Sequence, residues 1–267
     1  MMKKLLCILL MLPLILTAAF ALAEEAEGDL LSRIQAKGEM VVATEGTWAP
    51  WTYHNEANEL VGFDVEVARL VGEKLGLAVT FVECPWDSIF AGIDAQRYDT
   101  AANGVDITED RALKYDFATP YGYNRTALIV RGDNADIASF EDLAGRKTVN
   151  SLGSTYMEIA ESYGATVTGV DSLDETLQMV LIGRAEATLN AELSFNDFMK
   201  ARPDANLKAV ALSEDATCIA FPVRKGEDSA TFLAALNQAI EELAAEGELS
   251  RLSMDYFGID ITQQPMK

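Results

Sequence analysis

Histidine is nearly absent from this 267-residue chain, with His54 the only one. Metal catalysis built on imidazole ligands is thereby disfavoured, because such sites draw on two or three histidines. Cysteine is scarce too, at Cys7, Cys84 and Cys218, and no CxxC spacing marks a zinc or redox site. Cations are half as numerous as acids, 21 Lys and Arg against 42 Asp and Glu, for a net charge of −21. Lys3 and Lys4 are the only charges before residue 24, so the remainder carries 19 − 42 = −23. A surface that acidic repels phosphate backbones and anionic headgroups, which argues against nucleic acid or a lipid surface as partner. Catalytic signatures are also missing: there is no GxSxG elbow, P-loop, HExxH helix or GxGxxG turn.

What is present begins with the pattern of an export signal. Met1 to Lys4 gives a cationic start, Leu5 to Leu16 an apolar run, and Ala21-Leu22-Ala23 a small-residue cleavage site before Glu24. Leu5 to Ala23 could just span a bilayer as an uncleaved anchor, but Pro13 and the Ala-Leu-Ala ending favour cleavage. No later run is apolar enough to cross a membrane. The mature chain is expected in the periplasm or another extracytoplasmic space, where Cys84 and Cys218 could form one disulfide or remain two thiols.

From residue 39 onward, short β-branched runs alternate with amphipathic stretches, the pattern of an α/β protein with mainly parallel sheets. Residues 40–44, 78–83 and 98–102 read as strands of the first half, with 45–53 a turn-rich aromatic segment. Asp64 reads as the cap of a helix that Gly76 ends, and 86–96 as the next helix. In the second half, 127–131, 148–152, 167–170, 185–190 and 207–212 read as strands. A helix opens at Gly153-Ser154-Thr155 and another at Ser194, and 218–223 reads as a last strand.

Two turns carry chemistry. In Asn103-Gly104-Val105-Asp106-Ile107-Thr108-Glu109-Asp110-Arg111 a strand ends and Thr108 starts a helix with Arg111 in its first turn. A cation there opposes the helix dipole. Either Arg111 pairs at the surface with Glu109 or Asp110, or it points with the helix N-terminus at a bound anion, for which its planar fork suits a carboxylate. The spacing leaves both readings open. In Ser151-Leu152-Gly153-Ser154-Thr155-Tyr156 a second strand enters a helix through a glycine, leaving backbone N–H groups for an anion or a simple cap. Trp48, Trp51, Tyr53 and Trp86 gather at strand ends in the first half, as core or as the walls of a pocket.

Taken in order, these landmarks resemble the extracellular solute-binding proteins of family 3, receptors for polar amino-acid ABC importers. The matching residues are Ala43-Thr44-Glu45-Gly46-Thr47-Trp48-Ala49-Pro50-Trp51, Leu60-Val61-Gly62-Phe63-Asp64-Val65, Pro85-Trp86-Asp87, Asp106 to Arg111, Tyr115 to Tyr121 and Phe140 to Gly145. Ser151-Leu152-Gly153-Ser154 and Ala187-Thr188-Leu189-Asn190 look most like the cystine-binding branch. The resemblance implies a two-lobed periplasmic-binding-protein fold of type II, each lobe a mainly parallel sheet flanked by helices. Residues 1–23 would be the signal, 24–122 plus 218–267 one lobe and 123–217 the other, with crossings near Tyr121 to Arg125 and Asp215 to Ala220. It also implies a monomeric receptor rather than an enzyme, without cofactor or metal, that hands a polar amino acid, cystine-like or related, to a membrane ABC permease.

By the same resemblance Arg111 holds the ligand α-carboxylate with backbone donors at Ser154 and Thr155. Trp48 and Trp86 sandwich the ligand side chain, Glu45 helps select it, and Asn103, Gly104 and Asn190 complete the binding set. One departure stands out. Members usually carry an aspartate at the position of Ala191, paired with the ligand ammonium, and Ser or Thr at the position of Asp106. We expect the carboxylate to have crossed the cleft to Asp106; Glu192, or a ligand without an α-ammonium, are the alternatives. A different function on the same scaffold would be that of a cyclohexadienyl or arogenate dehydratase, with Asp106, Glu45 or Glu192 as general acid.

Overall fold

β-Branched and alanine-rich runs set the frame of the molecule, whose computed structural model describes residues 28–264. The segment read as an export signal, with Cys7, lies outside the described residues. Asp29 caps α1 (Leu30–Lys37) by accepting from the Ser32 amide, and Gly38 turns the chain into β1 (Glu39–Thr44). A small meander follows, β2 (Thr47–Trp48), β3 (Thr52–His54) and β4 (Leu60–Val61). Then come α2 (Phe63–Leu75), β5 (Ala78–Glu83), α3 (Trp86–Asp94) and β6 (Thr100–Ala101). The first sheet has the order β5-β1-β6, with both pairings parallel. α4 (Glu109–Lys114) leads to β7 (Tyr115–Phe117) and β8 (Gly122–Asn124).

The second sheet belongs to the middle of the chain. It takes β9 (Thr126–Arg131), β10 (Lys147–Ser151), β11 (Thr166–Val170), β12 (Ala187–Ala191) and β13 (Leu207–Leu212), in the order β11-β10-β12-β9-β13. α5 (Thr155–Ser162), α6 (Leu173–Leu181) and α7 (Glu192–Ala201) connect its strands. β9 and β12, buried along nearly their whole length, read as continuous apolar or small runs, as a strand covered on both faces must. β10 runs parallel to β11 and β12, whereas β9 is antiparallel to its neighbours.

The chain crosses between the two sheets on β8 and returns on β14 (Thr217–Ile219), paired antiparallel with Thr217 opposite Asn124 and Ile219 opposite Gly122. β15 (Pro222–Arg224) then pairs with β7. α8 (Ala230–Ala245) and α9 (Glu248–Phe257) close the chain by packing on α2. No helix among the described residues is long and apolar enough to cross a membrane.

Several expectations are corrected. Residues 45–53 hold a hairpin, β2 with β3, rather than irregular turns. The strand expected over 218–223 breaks between β14 and β15, because the amide of Ala220 turns to the Val105 carbonyl. α7 begins at Glu192, two residues before Ser194. Of the two states left open for Cys84 and Cys218, the structure has two free thiols. Asp64 is not a cap: α2 starts after Gly62, no side chain caps it, and the Asp64 carboxylate turns inward. Gly62 sits at φ +134°, and a Cβ there would lie 2.2 Å from the Trp51 carbonyl oxygen. Gly62→Ala should therefore destabilise the fold by about 2 kcal/mol or more; chemical denaturation at an unchanged midpoint would show that the backbone yields instead.

Candidate functional site

β1, β6 and the loop after β6 present one wall of a cleft, and the N-terminus of α5 with the end of β12 presents the other. Between them lies a small cavity, about 30 Å³ of it open to the centre of a water-sized sphere, lined by Glu45, Thr47, Trp48, Trp86, Asn103, Gly104, Asp106, Ser151, Ser154, Thr155, Tyr156, Leu173 and Asn190. Nine of the ten residues singled out in the sequence are in that lining; the tenth, Arg111, is not.

Arg111 resolves the two readings left by its spacing. It pairs with neither Glu109 nor Asp110. The residue is 9% exposed, and its guanidinium carbon lies 5.1 Å from the ring centroids of both Trp86 and Phe90. Thr108 caps α4 by accepting from the Arg111 amide, which turns the arginine inward from the first turn. Nη1 donates to the Asp106 carbonyl at 3.1 Å, and Nη2 has no hydrogen-bond partner among the described residues.

Asp106 is 4% exposed. Its Oδ2 accepts from the Thr155 hydroxyl at 2.6 Å, from the opposite wall, while Oδ1 has no partner among the described residues. Burial pushes its carboxyl up, opposed by the Thr155 hydroxyl, then by the Thr217 hydroxyl and by Arg111. Burial likewise lowers Arg111, opposed by Asp106. A donor atom in the first turn of α4 and an acceptor atom on the loop before it, both buried and unpaired, are costly unless something else meets them.

The two tryptophans do more than line walls. Trp48 Nε1 donates to Asn190 Oδ1 at 3.0 Å, and Trp86 Nε1 donates to the Gly153 carbonyl at 3.1 Å. Each bond crosses from the first-sheet side of the cleft to the second. Asn103 orients Glu45, donating from Nδ2 to Oε2 at 2.7 Å and accepting the Glu45 amide at 2.7 Å. Ser154 caps α5 by accepting from the Met157 amide at 3.2 Å, which leaves the first amides of that helix available to an anion.

Thr47, Ser151, Tyr156 and Leu173 also line the cavity. The first three lie inside stretches the sequence had marked, and each is placed there by a singled-out neighbour. Leu173, the first residue of α6, carried no signal in the sequence. Glu192, the alternative acid, is engaged elsewhere, paired with Arg125 at 3.0 Å.

Burial pushes the Glu45 carboxyl up to about 7, partly opposed by Asn103. An acid raised in this way binds more protons folded than unfolded. Its contribution to stability is full below its ordinary value and is lost as pH rises through about 7. Glu45→Gln should flatten the fall in melting temperature between pH 5 and pH 8, on the order of 2 kcal/mol. An unchanged slope would show that Glu45 is not desolvated.

Residues 40–259 match the model of the bacterial extracellular solute-binding proteins, family 3. A probable amino-acid ABC transporter-binding protein of Haemophilus influenzae is 40% identical over 93% of this chain and 96% of its own. The L-cystine-binding protein TcyA of Bacillus subtilis is 38% identical over 89% and 88%. Among solved structures, the L-cystine solute receptor of Neisseria gonorrhoeae, unliganded and open, is 41% identical, with 89% and 100% covered and a TM-score of 0.58. An ancestral arginine-binding protein bound to glutamine is 31% identical, with 83% and 98% covered, yet scores 0.78. In this structure the two walls of the cleft are joined by the bonds of Trp48, Trp86 and Thr155.

Proposed function

Because the chain belongs to the bacterial extracellular solute-binding proteins of family 3, we propose that it is the receptor of an ABC importer and binds a polar amino acid, cystine or a relative, between its lobes. We divide the chain at the crossing strands, with 24–122 and 218–267 in one lobe and 123–217 in the other. The carrying observation is the pair of buried unpartnered atoms, Arg111 Nη2 from the first turn of α4 and Asp106 Oδ1 from the loop before it. An α-carboxylate supplies the acceptor that Arg111 lacks, completed by the Thr155 amide at the start of α5; the Ser154 amide is already bonded to the Ser151 carbonyl at 3.1 Å. An α-ammonium supplies the donor that Asp106 lacks, which answers the absence of an acid at Ala191. Trp48 and Trp86 flank the side chain, and Glu45 meets its far end.

The mechanism is binding and closure without covalent chemistry. Trp48, Trp86 and Thr155 bond across the cleft, so the groups that touch the ligand also hold the lobes together, and ligand shifts the hinge equilibrium toward the closed form. The protein acts outside the cytoplasm after export, as a monomer, and the closed form delivers its cargo to a membrane permease.

Thermal unfolding of the purified mature protein with each common amino acid and cystine tests this reading. At a hundred times its dissociation constant a ligand stabilises by about 2.7 kcal/mol. No shift with any amino acid would overturn the proposal. Asp106→Ser should weaken binding by about a hundredfold or more, since a buried ammonium losing its anion costs about 3–5 kcal/mol. Unchanged affinity in that variant would remove Asp106 as the ammonium partner.

A further inference from the structure

Asp64 lies in the first turn of α2 and is fully buried. A buried carboxyl with no neighbouring cation is costly to the fold, and burial pushes this one up to about 7. Its Oδ2 accepts from the Gly104 amide and from the Tyr121 hydroxyl, the latter at 3.0 Å, while Oδ1 has no partner among the described residues. It does not line the cavity and does not cap its own helix. A residue that breaks local rules at some cost, directly behind a binding loop, is where a functional constraint is expected.

Its two partners occupy telling places. Gly104 lies in the cavity wall between Asn103 and Asp106, at φ +54°, and a Cβ there would meet the Trp48 ring at 2.5 Å. Tyr121 stands where the chain enters the first crossing strand, its amide bonded to the Ile219 carbonyl at 3.0 Å. The same loop is joined to the second crossing by backbone bonds, Ile107 N–H to the Cys218 carbonyl at 2.9 Å and Ala220 N–H to the Val105 carbonyl at 3.1 Å. Asp64 supplies the corresponding link to the first crossing.

We propose that Asp64 is a positioning residue for ligand binding, joining the Asn103–Asp106 loop to Tyr121 so that the binding wall and the hinge move as one unit. This rests on the receptor reading. The ionised carboxylate accepts the Gly104 N–H more strongly than a neutral group does, so the link is tightest above about pH 7. The titratable group bonded to it is Tyr121 on the crossing; Tyr256 on α9 bonds two positions earlier, its hydroxyl accepting from the Gly62 amide at 3.3 Å. Asp106 and Glu45 lie across the loop, in the cavity. All four remain in an Asp64 variant, so the ratio between the two proteins isolates Asp64.

Asp64→Asn keeps the shape and one acceptor oxygen but removes the charge. Calorimetric titration with L-cystine, and in parallel with L-arginine, should show binding about tenfold weaker than wild type at pH 8. At pH 5.5, where the wild-type carboxyl is itself neutral, the difference should shrink to within about twofold. The melting temperature at pH 8 should be unchanged or higher, because a buried charge is gone. Equal affinity at pH 8, a loss that persists at pH 5.5, or a loss matched by a fall in melting temperature would each overturn the proposal. Amide exchange without ligand at pH 8 gives an independent readout: the variant should exchange faster at both 103–107 and 121–124, and no change in either stretch overturns the coupling. If the wild type binds no amino acid, the receptor reading fails, and the exchange measurement still decides Asp64.

Discussion

Arg111, in the first turn of α4, and Asp106, on the loop before it, are held out of water, and each keeps a buried polar atom without a hydrogen-bond partner among the described residues. Burying a charge costs several kcal/mol unless hydrogen bonds and a counter-charge offset it. The guanidinium is partly compensated by the Trp86 and Phe90 rings and by the Asp106 carbonyl, and the carboxylate by Thr155. The remaining donor and acceptor have the complementarity of a zwitterion. That constraint explains why the loop is braced on every side, by the Thr108 cap, by Asn103 against Glu45, and by backbone bonds to the returning strand.

Closure follows from the same residues. The cleft is bridged by the indole N–H groups of Trp48 and Trp86 and by the Thr155 hydroxyl, and all three residues also line the cavity. In Trp48 and Trp86 the ring that lines the cavity and the N–H that reaches the opposite wall thus belong to one side chain. A ligand that orients the rings favours the cross-cleft bonds, and those bonds in turn exclude water from the charged loop, where lower polarity strengthens each contact. The paired crossing strands β8 and β14 are short, which keeps the joint between the lobes a single narrow ladder.

Much of this was legible in the sequence because it is local. Strands β5 and β13 fall where β-branched and alternating residues placed them, and the Ser154 and Thr108 caps are read directly from residue type. Asp64 was misread for the same reason: capping is a local rule, but its partners lie 40 and 57 positions away. Arg111 stayed open because the rings that bury it come from α3, which no spacing around residue 111 reveals. Leu173 was invisible, since its place in the cavity depends on how the lobes meet. The absence of an acid at Ala191 was visible, and it directed attention to Asp106 before any geometry did.

The most direct measurement is calorimetric titration of the mature protein with the L-amino acid that stabilises it most, beside that compound's desamino analogue and its α-carboxamide. Recognition by Asp106 and Arg111 predicts that each analogue binds weaker by about a hundredfold or more, the loss expected when one charge of a buried pair is removed. Desamino binding at the affinity of the parent amino acid would contradict it, and would leave the Asp106 carboxylate without the role assigned to it here.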